Sequence, residues 1–440
     1  MQIKSTIDQY CDHFKKDQKA AAEALQLFPD GINSDSRYTE PYPVYIERAQ
    51  GSKKWGLDGQ EFIDYWAGHG ALLFGHNPPE LVKAVTEQIQ KGVHFGACNL
   101  NEIKWGKLVQ ELIPSAERIR FTNSGTEANQ LAVQLAQTYT GKKKLLLFEG
   151  HYHGWLYPVY PTHEIADNSA RIICPPNCLE TVEQHLRTDS DIAAIILEPT
   201  GPCSGVVPIN HSFLSKLQEM AKSYGVVLIF DEVITGFRVS AGGAQAHYNI
   251  LPDLTTLGKI LTGGLPGGAI TGKKEILDLL SRHINDQPND KKIAHYGTFS
   301  ANGLSAATGI VTLQSIQAKP PYAYINQLAT VLRTQLNKLF TAHQLKWVTY
   351  GEFSCIKFLI GYDMPYCPAT NFDPYQVPYK TLLARGNFEV KNTLRKQLLL
   401  QGIDISFSSV ISTAHTMEDV TKTVLAFEKA IHAMQKEGSI

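Results

Sequence analysis

The sequence lacks the long apolar segments that insert proteins into membranes. Residues 1–10 contain no apolar stretch of the kind found in signal peptides. No run elsewhere approaches the roughly 20 apolar residues that a membrane-spanning helix needs. The chain also has little net charge, −1 with neutral histidines, so there is no electrostatic reason to expect a nucleic acid or an anionic membrane as a partner. We therefore expect no nucleic acid and no membrane among its partners.

Cysteine is scarce and irregularly spaced. The seven cysteines are an odd number and lie at positions 11, 98, 174, 178, 203, 355 and 367. Scattered cysteines suit reduced thiols better than a disulfide framework, so we expect a cytoplasmic protein. Cys174 and Cys178 could form half of a zinc site, but no second pair follows at zinc spacing. The cysteines therefore predict no metal centre.

The middle of the chain alternates short apolar runs with amphipathic segments. The apolar runs 145–148, 193–197 and 226–230 are predicted strands, and helices are predicted around 128–136 and 213–221. Continuous apolar strands separated by amphipathic helices are typical of an α/β fold with a mainly parallel sheet covered on both faces.

The pattern changes after about residue 316, where a long helical stretch leads to short strands and a final helix at 417–436. With 440 residues, two or three domains are expected. We predict an N-terminal arm, 1–60, that joins the small domain, a large cofactor domain, 61–315, and a C-terminal small domain, 316–440. Residues 363–379 carry four prolines, which predicts an ordered loop or insertion rather than a helix.

One lysine and one acid stand out. Lys259 follows Gly258 and precedes the glycine-rich segment 263–268, which lets backbone approach a ligand closely. Asp231 ends an apolar strand, at the sheet edge where ligands of open parallel sheets bind. Pyridoxal 5′-phosphate (PLP) needs a lysine for its Schiff base and a carboxylate beside its ring nitrogen. Taken singly, the two residues could be a surface lysine and a helix-capping acid, but the pair predicts a PLP enzyme.

Ser124, Gly125 and Thr126 lie at a predicted strand-to-helix junction. Backbone N–H groups at a helix start, with hydroxyls on either side, suit a phosphate dianion. Ordinary helix capping, with Glu127 in the first turn, explains the same residues equally well. Both interpretations stay open at the level of sequence.

The segment His151-Tyr152-His153 follows another predicted strand. Its His-x-His spacing invites a metal interpretation, but two histidines are too few ligands for a metal site, and we predict none. Tyr152 could stack on a flat heteroaromatic ring or be a structural tyrosine.

Taken together, these segments resemble the class III (omega) aminotransferases of PLP fold type I. The resemblance is strongest in the branch that contains glutamate-1-semialdehyde 2,1-aminomutase and runs from about Asn33 to the last helix. The motifs that carry it are RFTNSGTEA at 120–128, FDEVITGFR at 230–238, LGK at 257–259 with its glycine tail, and STAHT at 412–416. Several ordered motifs at family spacing are more specific than any one alone.

The resemblance implies roles for the residues near the cofactor ring. Lys259 would form the Schiff base and later carry the proton between the substrate and the cofactor. Asp231 would pair with the pyridine nitrogen, and Val233 and Tyr152 would pack on opposite faces of the ring. The resemblance therefore makes Lys259 and Asp231 the expected catalytic residues.

The resemblance also implies how the phosphate is held. Ser124, Gly125 and Thr126 would bind the phosphate within one subunit, and Thr298 would reach the phosphate in the neighbouring subunit. A site completed across a two-fold axis implies a homodimer with shared active sites. Glu198 matches a family acid near the cofactor.

The substrate side matches the aminomutase branch less well. Arg37 falls where that branch carries an arginine for the substrate carboxylate, although pairing with Asp35 at the surface is an equal alternative. His69 stands in place of a tryptophan, and residues 302–304 read Asn-Gly-Leu instead of Asn-Pro-Leu. Between 402 and 414 the chain is shorter than the aminomutase. We expect Arg37 and His69 to contact the substrate.

We therefore predict a PLP-dependent aminotransferase that moves an amino group from an amino acid or amine donor to a keto or aldehyde acceptor by ping-pong chemistry. The alternative on the same scaffold is an aminomutase like that of glutamate-1-semialdehyde, or an amino-acid racemase or epimerase. A nonenzymatic binder is disfavoured because both Lys259 and Asp231 are present. A nicotinamide dehydrogenase is disfavoured because the glycine-rich segment lacks the fingerprint spacing.

Overall fold

The computed structural model describes residues 4–155 and 169–440. Its strands are β1 (Ile46–Gln50), β2 (Lys53–Gly56), β3 (Glu61–Asp64), β4 (Arg118–Thr122), β5 (Lys144–Phe148), β6 (Arg171–Cys174), β7 (Ile192–Leu197), β8 (Val227–Asp231), β9 (Leu254–Gly258), β10 (Gly268–Gly272), β11 (His283–Ile284), β12 (Gln287–Pro288), β13 (Trp347–Tyr350), β14 (Cys355–Ile360), β15 (Ile403–Asp404) and β16 (Ser408–Val410).

The helices follow the same chain order. They are α1 (Thr6–His13), α2 (Lys15–Ala24), α3 (Ala67–Gly70), α4 (Pro79–Lys91), α5 (Leu100–Leu112), α6 (Gly125–Thr140), α7 (Leu179–Thr188), α8 (Pro202–Gly205), α9 (His211–Ser223), α10 (Gly243–Tyr248), α11 (Lys274–Leu277), α12 (Gly303–Ala318), α13 (Tyr322–Ala342), α14 (Tyr379–Ala384), α15 (Phe388–Leu400) and α16 (Met417–Glu437). Within the described ranges, no helix is both long enough and apolar enough to cross a membrane.

The chain forms two compact units. One consists of residues 1–67, 74–78 and 324–440, and the other of residues 68–73 and 79–323. We call them the terminal unit and the central unit. The predicted functional boundaries at residues 60 and 315 stay predictions.

The central unit contains a seven-stranded sheet in the order β4-β10-β9-β8-β7-β5-β6. Strands β9, β8, β7, β5 and β6 are parallel, and β10 runs antiparallel to both of its neighbours, β4 and β9. This sheet confirms the predicted α/β fold with a mainly parallel sheet. Because β4 runs in the same direction as the parallel strands, its carboxyl end lies at the same edge of the sheet.

Side chains that alternate along the central strands enter two different cores. Leu147 and Ile229 pack with residues of α6 on one face, whereas Leu146 and Leu228 pack with residues of α9 on the other. A strand with both faces buried reads as a continuous apolar run, which explains why these strands were recognisable in the sequence. The described sheet is therefore covered by helices on both faces, as predicted.

Local signals set the ends of the helices that flank the site. The Ser124 side chain caps α6 by accepting a hydrogen bond from the Glu127 N–H at 3.1 Å. The helix stops at Gly141, which adopts the left-handed conformation at φ 71°. The helices predicted around 128–136 and 213–221 correspond to α6 and α9, and both extend beyond the predicted positions.

The terminal unit has two smaller sheets, β1-β2-β3-β15 and β13-β14-β16. Tyr10 of α1 and Phe14, the residue between α1 and α2, are buried against Phe62 and Leu399. The proline-rich segment 363–379 forms an ordered loop with two short 3-10 turns before α14 begins, in agreement with its proline content.

Candidate active site

Lys259 and Asp231 lie at the carboxyl ends of two neighbouring parallel strands. Asp231 is the last residue of β8, and Lys259 directly follows β9. The two strands are paired in register, with Asp231 opposite Thr256. The sheet thus brings the lysine and the acid, 28 positions apart in sequence, to one edge.

The Lys259 amine is held in an environment that disfavours its charge. The residue begins a 3-10 turn with φ 49°, in the left-handed region that is uncommon for a residue with a side chain. Burial lowers the pKa of the amine below its ordinary value, and the charges of Asp231 and Glu198 oppose part of this shift. A lysine with a lowered pKa is more often neutral, which makes it a better nucleophile and proton acceptor.

The Asp231 carboxylate is oriented by three donors. Its Oδ2 accepts hydrogen bonds from Asn129 Nδ2 at 2.7 Å and from His153 Nδ1 at 2.8 Å. Its Oδ1 accepts from the Val233 N–H at 3.0 Å. Thr256 Oγ1 donates to Asn129 Oδ1 at 2.6 Å and so orients the amide. Because the side chain is buried and accepts three hydrogen bonds, the carboxylate is held in one rotamer.

Glu198 is a second buried acid in the same region. It follows β7, only 3% of its surface is exposed, and its Oε1 accepts the Tyr152 N–H at 3.0 Å. Burial, and next the charge of Asp231, raise the pKa of the Glu198 carboxyl to about 7. Near neutral pH this acid can therefore take up or give up a proton.

Three glycines near Lys259 and α6 in sequence or in the sheet pack directly against neighbouring side chains. A Cβ atom added to Gly125 would lie 2.7 Å from a methyl carbon of Val233, and Gly258 packs against the same glycine and the same valine. A Cβ on Gly154 would lie 2.7 Å from the Thr126 methyl group. At Gly125 and Gly154 the neighbouring atoms lie too close for a side chain without a shift, whereas at Gly258 the nearest contact of an added Cβ would be 3.2 Å.

The helix start at α6 shows both features that the sequence left open. The Ser124 hydroxyl oxygen accepts the Glu127 N–H, which is the capping interpretation. The hydroxyl hydrogen is not consumed by that bond and remains able to donate to an anion. Capping and anion binding are therefore compatible at Ser124.

The other four predicted site residues are exposed. Tyr152 directly follows His151 and is 48% exposed. Thr298 is exposed in a turn at residues 298–300, and His69 is also exposed. Arg37 belongs to the terminal unit, where it is exposed at the end of a short 3-10 helix. The roles of these four residues stay predictions.

Three hydrogen bonds to the predicted site acids were not predicted from the sequence. Asn129 and His153 hold Asp231, and His151 Nδ1 accepts the Glu198 N–H at 2.9 Å. The His-x-His spacing drew attention to the two histidines, but we predicted no metal there and did not predict hydrogen bonds to Asp231 and Glu198. In the part of the chain that the structure describes, no group of three or more His, Cys, Asp or Glu side chains could hold a metal ion.

Comparison with known proteins identifies a family pattern and several relatives. The family model described as aminotransferase class-III matches residues 34–159 and 157–349. The chain is 37% identical to a glutamate-1-semialdehyde 2,1-aminomutase from Sulfurisphaera tokodaii, over 93% of this chain and 98% of that protein.

Solved structures with the same fold include transaminases. An omega-transaminase from Sphaerobacter thermophilus superposes with a TM-score of 0.84 at 26% identity, covering 95% of this chain and 98% of that one. A structure described as a transaminase with PLP bound superposes with a TM-score of 0.85 at 27% identity, covering 97% and 99%.

Proposed function

The chain belongs to the class III aminotransferases, and from that premise we propose that it transfers an amino group between an amino acid or amine donor and a keto or aldehyde acceptor. It is an enzyme of PLP fold type I, and its cofactor is pyridoxal 5′-phosphate. The observation that carries the proposal is the pairing of Lys259 and Asp231 at neighbouring strand ends.

The described residues fit this cofactor. Val233 packs directly against Gly125 and Gly258, so the backbone at the start of α6 and at the end of β9 lies beside the side chain that we assign to one face of the flat ring. The start of α6 offers N–H groups and the hydroxyls of Ser124 and Thr126 to a phosphate. We assign the phosphate to Ser124, Gly125 and Thr126, and the two ring faces to Val233 and Tyr152.

Bound PLP supplies an aldehyde that accepts an amine and a ring that stabilises negative charge. In our proposal Lys259 provides the amine that holds the cofactor and then carries a proton to or from the substrate carbon. Its lowered pKa favours both tasks, because a larger fraction of the amine is neutral than for an exposed lysine. Asp231 holds a proton on the ring nitrogen, and its three hydrogen-bond donors keep the carboxylate aimed in one direction.

The carboxylate of the donor or acceptor is assigned to Arg37, whose guanidinium suits bidentate recognition of that group. His69 is assigned to the substrate side as well. The substitution Arg37→Lys keeps the charge but removes the planar fork. We expect it to raise KM for carboxylate substrates by roughly tenfold or more while leaving simple amines unaffected. Equal effects on both kinds of substrate would remove Arg37 from the site.

Transamination is tested by half-reactions. Purified protein loaded with PLP is mixed with single amino acids and amines, and the products are separated. Transamination predicts conversion of the aldehyde cofactor to its amine form together with a free keto acid or aldehyde. The loaded protein should also show a visible absorbance band that borohydride removes. Protein supplied with PLP but lacking such a band would contradict the assignment of Lys259.

An aminomutase is the second candidate, and the 37% identity to the Sulfurisphaera tokodaii protein favours it. The substrate-side departures at His69, at residues 302–304 and between 402 and 414 favour a transaminase instead. Glutamate-1-semialdehyde labelled with ¹⁵N distinguishes the two. An aminomutase keeps the ¹⁵N label in an isomer of the substrate, with the amino group on a different carbon. A transaminase passes the label to a different acceptor molecule, such as pyruvate. A racemase or epimerase would return the label on an inverted carbon.

We further propose a homodimer with shared active sites. Exposed apolar side chains lie in and beside the turn that carries Thr298 in the central unit: Tyr296 is 91% exposed, and Phe299 is also exposed, next to His94. Monomeric proteins rarely expose a large apolar patch, so a second copy of the chain is the partner that fits the family.

Mixed dimers test the shared site. One subunit carries Lys259→Ala and the other Thr298→Ala, and the hybrid is purified by two different tags. If Thr298 serves the neighbouring subunit, the hybrid contains one site with both native residues and recovers about half of the wild-type activity per dimer. If Thr298 serves its own subunit, every site in the hybrid is damaged.

A further inference from the structure

Two hydrogen bonds join the segment after β5 to the residue after β7. The Glu198 N–H donates to His151 Nδ1 at 2.9 Å, and the Tyr152 N–H donates to Glu198 Oε1 at 3.0 Å. His151 and Glu198 are both buried. The His151 ring thus holds the main chain of Glu198, and the Tyr152 backbone holds its side chain.

The His151 ring must be neutral to make this contact. Its Nδ1 accepts a hydrogen bond, so the ring proton lies on Nε2. Burial, with a further contribution from His153, lowers the pKa of His151 well below its ordinary value. His151 is therefore a fixed acceptor rather than a group that titrates near neutral pH.

His151 has a different task from its neighbour. The ring centroids of His151 and His153 are 6.0 Å apart, but His153 binds the Asp231 side chain whereas His151 binds the Glu198 main chain. A buried N–H deprived of its acceptor is unfavourable, so loss of the ring would favour movement of the Glu198 backbone.

We propose that His151 is a positioning residue for Glu198, holding that acid at a set separation from Asp231 and from the Lys259 amine. The inference rests on the proposed function and deepens it, because Glu198 then tunes the protonation of the group that carries the cofactor. Leu197 of β7 pairs with Phe230 of β8, and β8 pairs with β9, so Glu198, Asp231 and Lys259 lie at the carboxyl ends of three consecutive strands. Among the groups that act on the charge of Lys259 are Asp231, Glu198, Cys203 and Arg238. Glu198 in turn is acted on by Asp231 and His153.

The experiment follows the absorbance of the bound cofactor as a function of pH. Glu198→Gln removes a negative charge near Lys259, so the midpoint of the absorbance change should fall by about one pH unit. His151→Ala should move the midpoint in the same direction by roughly half as much, because Glu198 is no longer held. His151→Asn, whose Oδ1 can replace the Nδ1 acceptor, should restore the wild-type midpoint.

The double variant decides whether His151 acts through Glu198. In the Glu198→Gln background, His151→Ala should cause no further shift of the midpoint. An undiminished shift in that background, or failure of His151→Asn to restore the midpoint, would overturn the inference. If His151→Ala does not fold, His151→Gln, which places its polar group near the Nε2 position, replaces it in the same comparison.

His415 provides a matched control. It is buried in the terminal unit, and its Nδ1 also accepts a main-chain N–H, from Ser412 at 3.1 Å. His415→Ala should lower the melting temperature, as we also expect for His151→Ala, but leave the midpoint unchanged. A shift with both variants would show a general loss of packing instead of positioning. A wild-type protein without a cofactor band would overturn the proposed function and this inference together. A normal cofactor band whose pH midpoint is the same in wild type and in His151→Ala would overturn the inference alone.

Discussion

His153 Nδ1 donates a hydrogen bond of 2.8 Å to Asp231 Oδ2, and both side chains are buried. The carboxylate accepts on the same oxygen from Asn129 and on the other oxygen from the Val233 N–H. This arrangement gives a strand-end acid a single direction, which a carboxylate that pairs with a ring nitrogen requires.

Replacing His153 should therefore lower turnover without removing the cofactor. We expect His153→Phe to reduce kcat by roughly ten- to a hundredfold, because a misdirected carboxylate stabilises ring protonation less well. His153→Asn, whose amide can still donate to Asp231, should lose less. Steady-state kinetics and the cofactor band of each variant give the comparison. Equal losses in both variants would argue against the hydrogen bond as the cause.

Removing the Lys259 amine should abolish catalysis. We expect Lys259→Ala to lose at least a thousandfold in kcat, because the variant lacks both the attachment point and the proton carrier. Lys273→Ala serves as the control, since Lys273 pairs with Asp253 at the opposite edge of the sheet. Activity retained in Lys259→Ala would remove this lysine from the mechanism.

Gly125 should not tolerate even a methyl group. Gly125→Ala would bring its Cβ atom within 2.7 Å of Val233 Cγ2, so we expect weaker PLP binding and a loss of about 1–3 kcal/mol in stability. Val233→Ala removes the opposing methyl groups and should relieve much of the effect in the double variant. Cofactor titration and denaturant unfolding of the four proteins form a double-mutant cycle. Additive effects in that cycle would contradict the steric explanation.

Burial of Glu198 should make the apoprotein less stable as the pH rises. Its folded-state pKa of about 7 lies above the ordinary value near 4.3, so the native state binds the proton more tightly than the unfolded state. Stability is therefore lost between about pH 4.3 and pH 7, by up to about 3 kcal/mol. Glu198→Gln should be more stable than wild type at pH 8 and similar to it at pH 5.

Urea unfolding of the apoproteins at both pH values measures this difference. Glu183→Gln, at an exposed position on α7, is the control and should change stability equally at both pH values. A Glu198→Gln protein without any gain at pH 8 would show that Glu198 pays no penalty for its burial.

Much of the central unit could be predicted from local sequence. The strands around 145–148, 193–197 and 226–230 are buried on both faces. A strand that is buried on both faces needs apolar residues at successive positions, so it appears in the sequence as a continuous apolar run. The helix after Ser124 begins with a capping residue and ends at a glycine, both of which are local signals. Lys259 and Asp231 were predicted together because chemistry restricts which residues can serve an imine-forming cofactor, and the fold places both at neighbouring strand ends; their roles stay predictions.

The contacts between distant residues could not be predicted in the same way. Asn129 lies in α6, 102 positions before Asp231, and nothing in its neighbourhood marks it as a partner of that acid. The sequence placed two histidines at metal-like spacing, whereas the fold directs one ring to the Asp231 carboxylate and the other to the Glu198 main chain.

The sequence by itself determined the kind of protein, because hydrophobic periodicity, capping residues and a lysine–acid pair are properties of short segments. The tertiary structure alone decided which groups meet at the carboxyl ends of β5, β7, β8 and β9, and how far burial shifts the pKa values of Lys259 and Glu198. The physical reason is that desolvation and hydrogen-bond geometry depend on neighbours brought together by the sheet, and those neighbours are far apart along the chain.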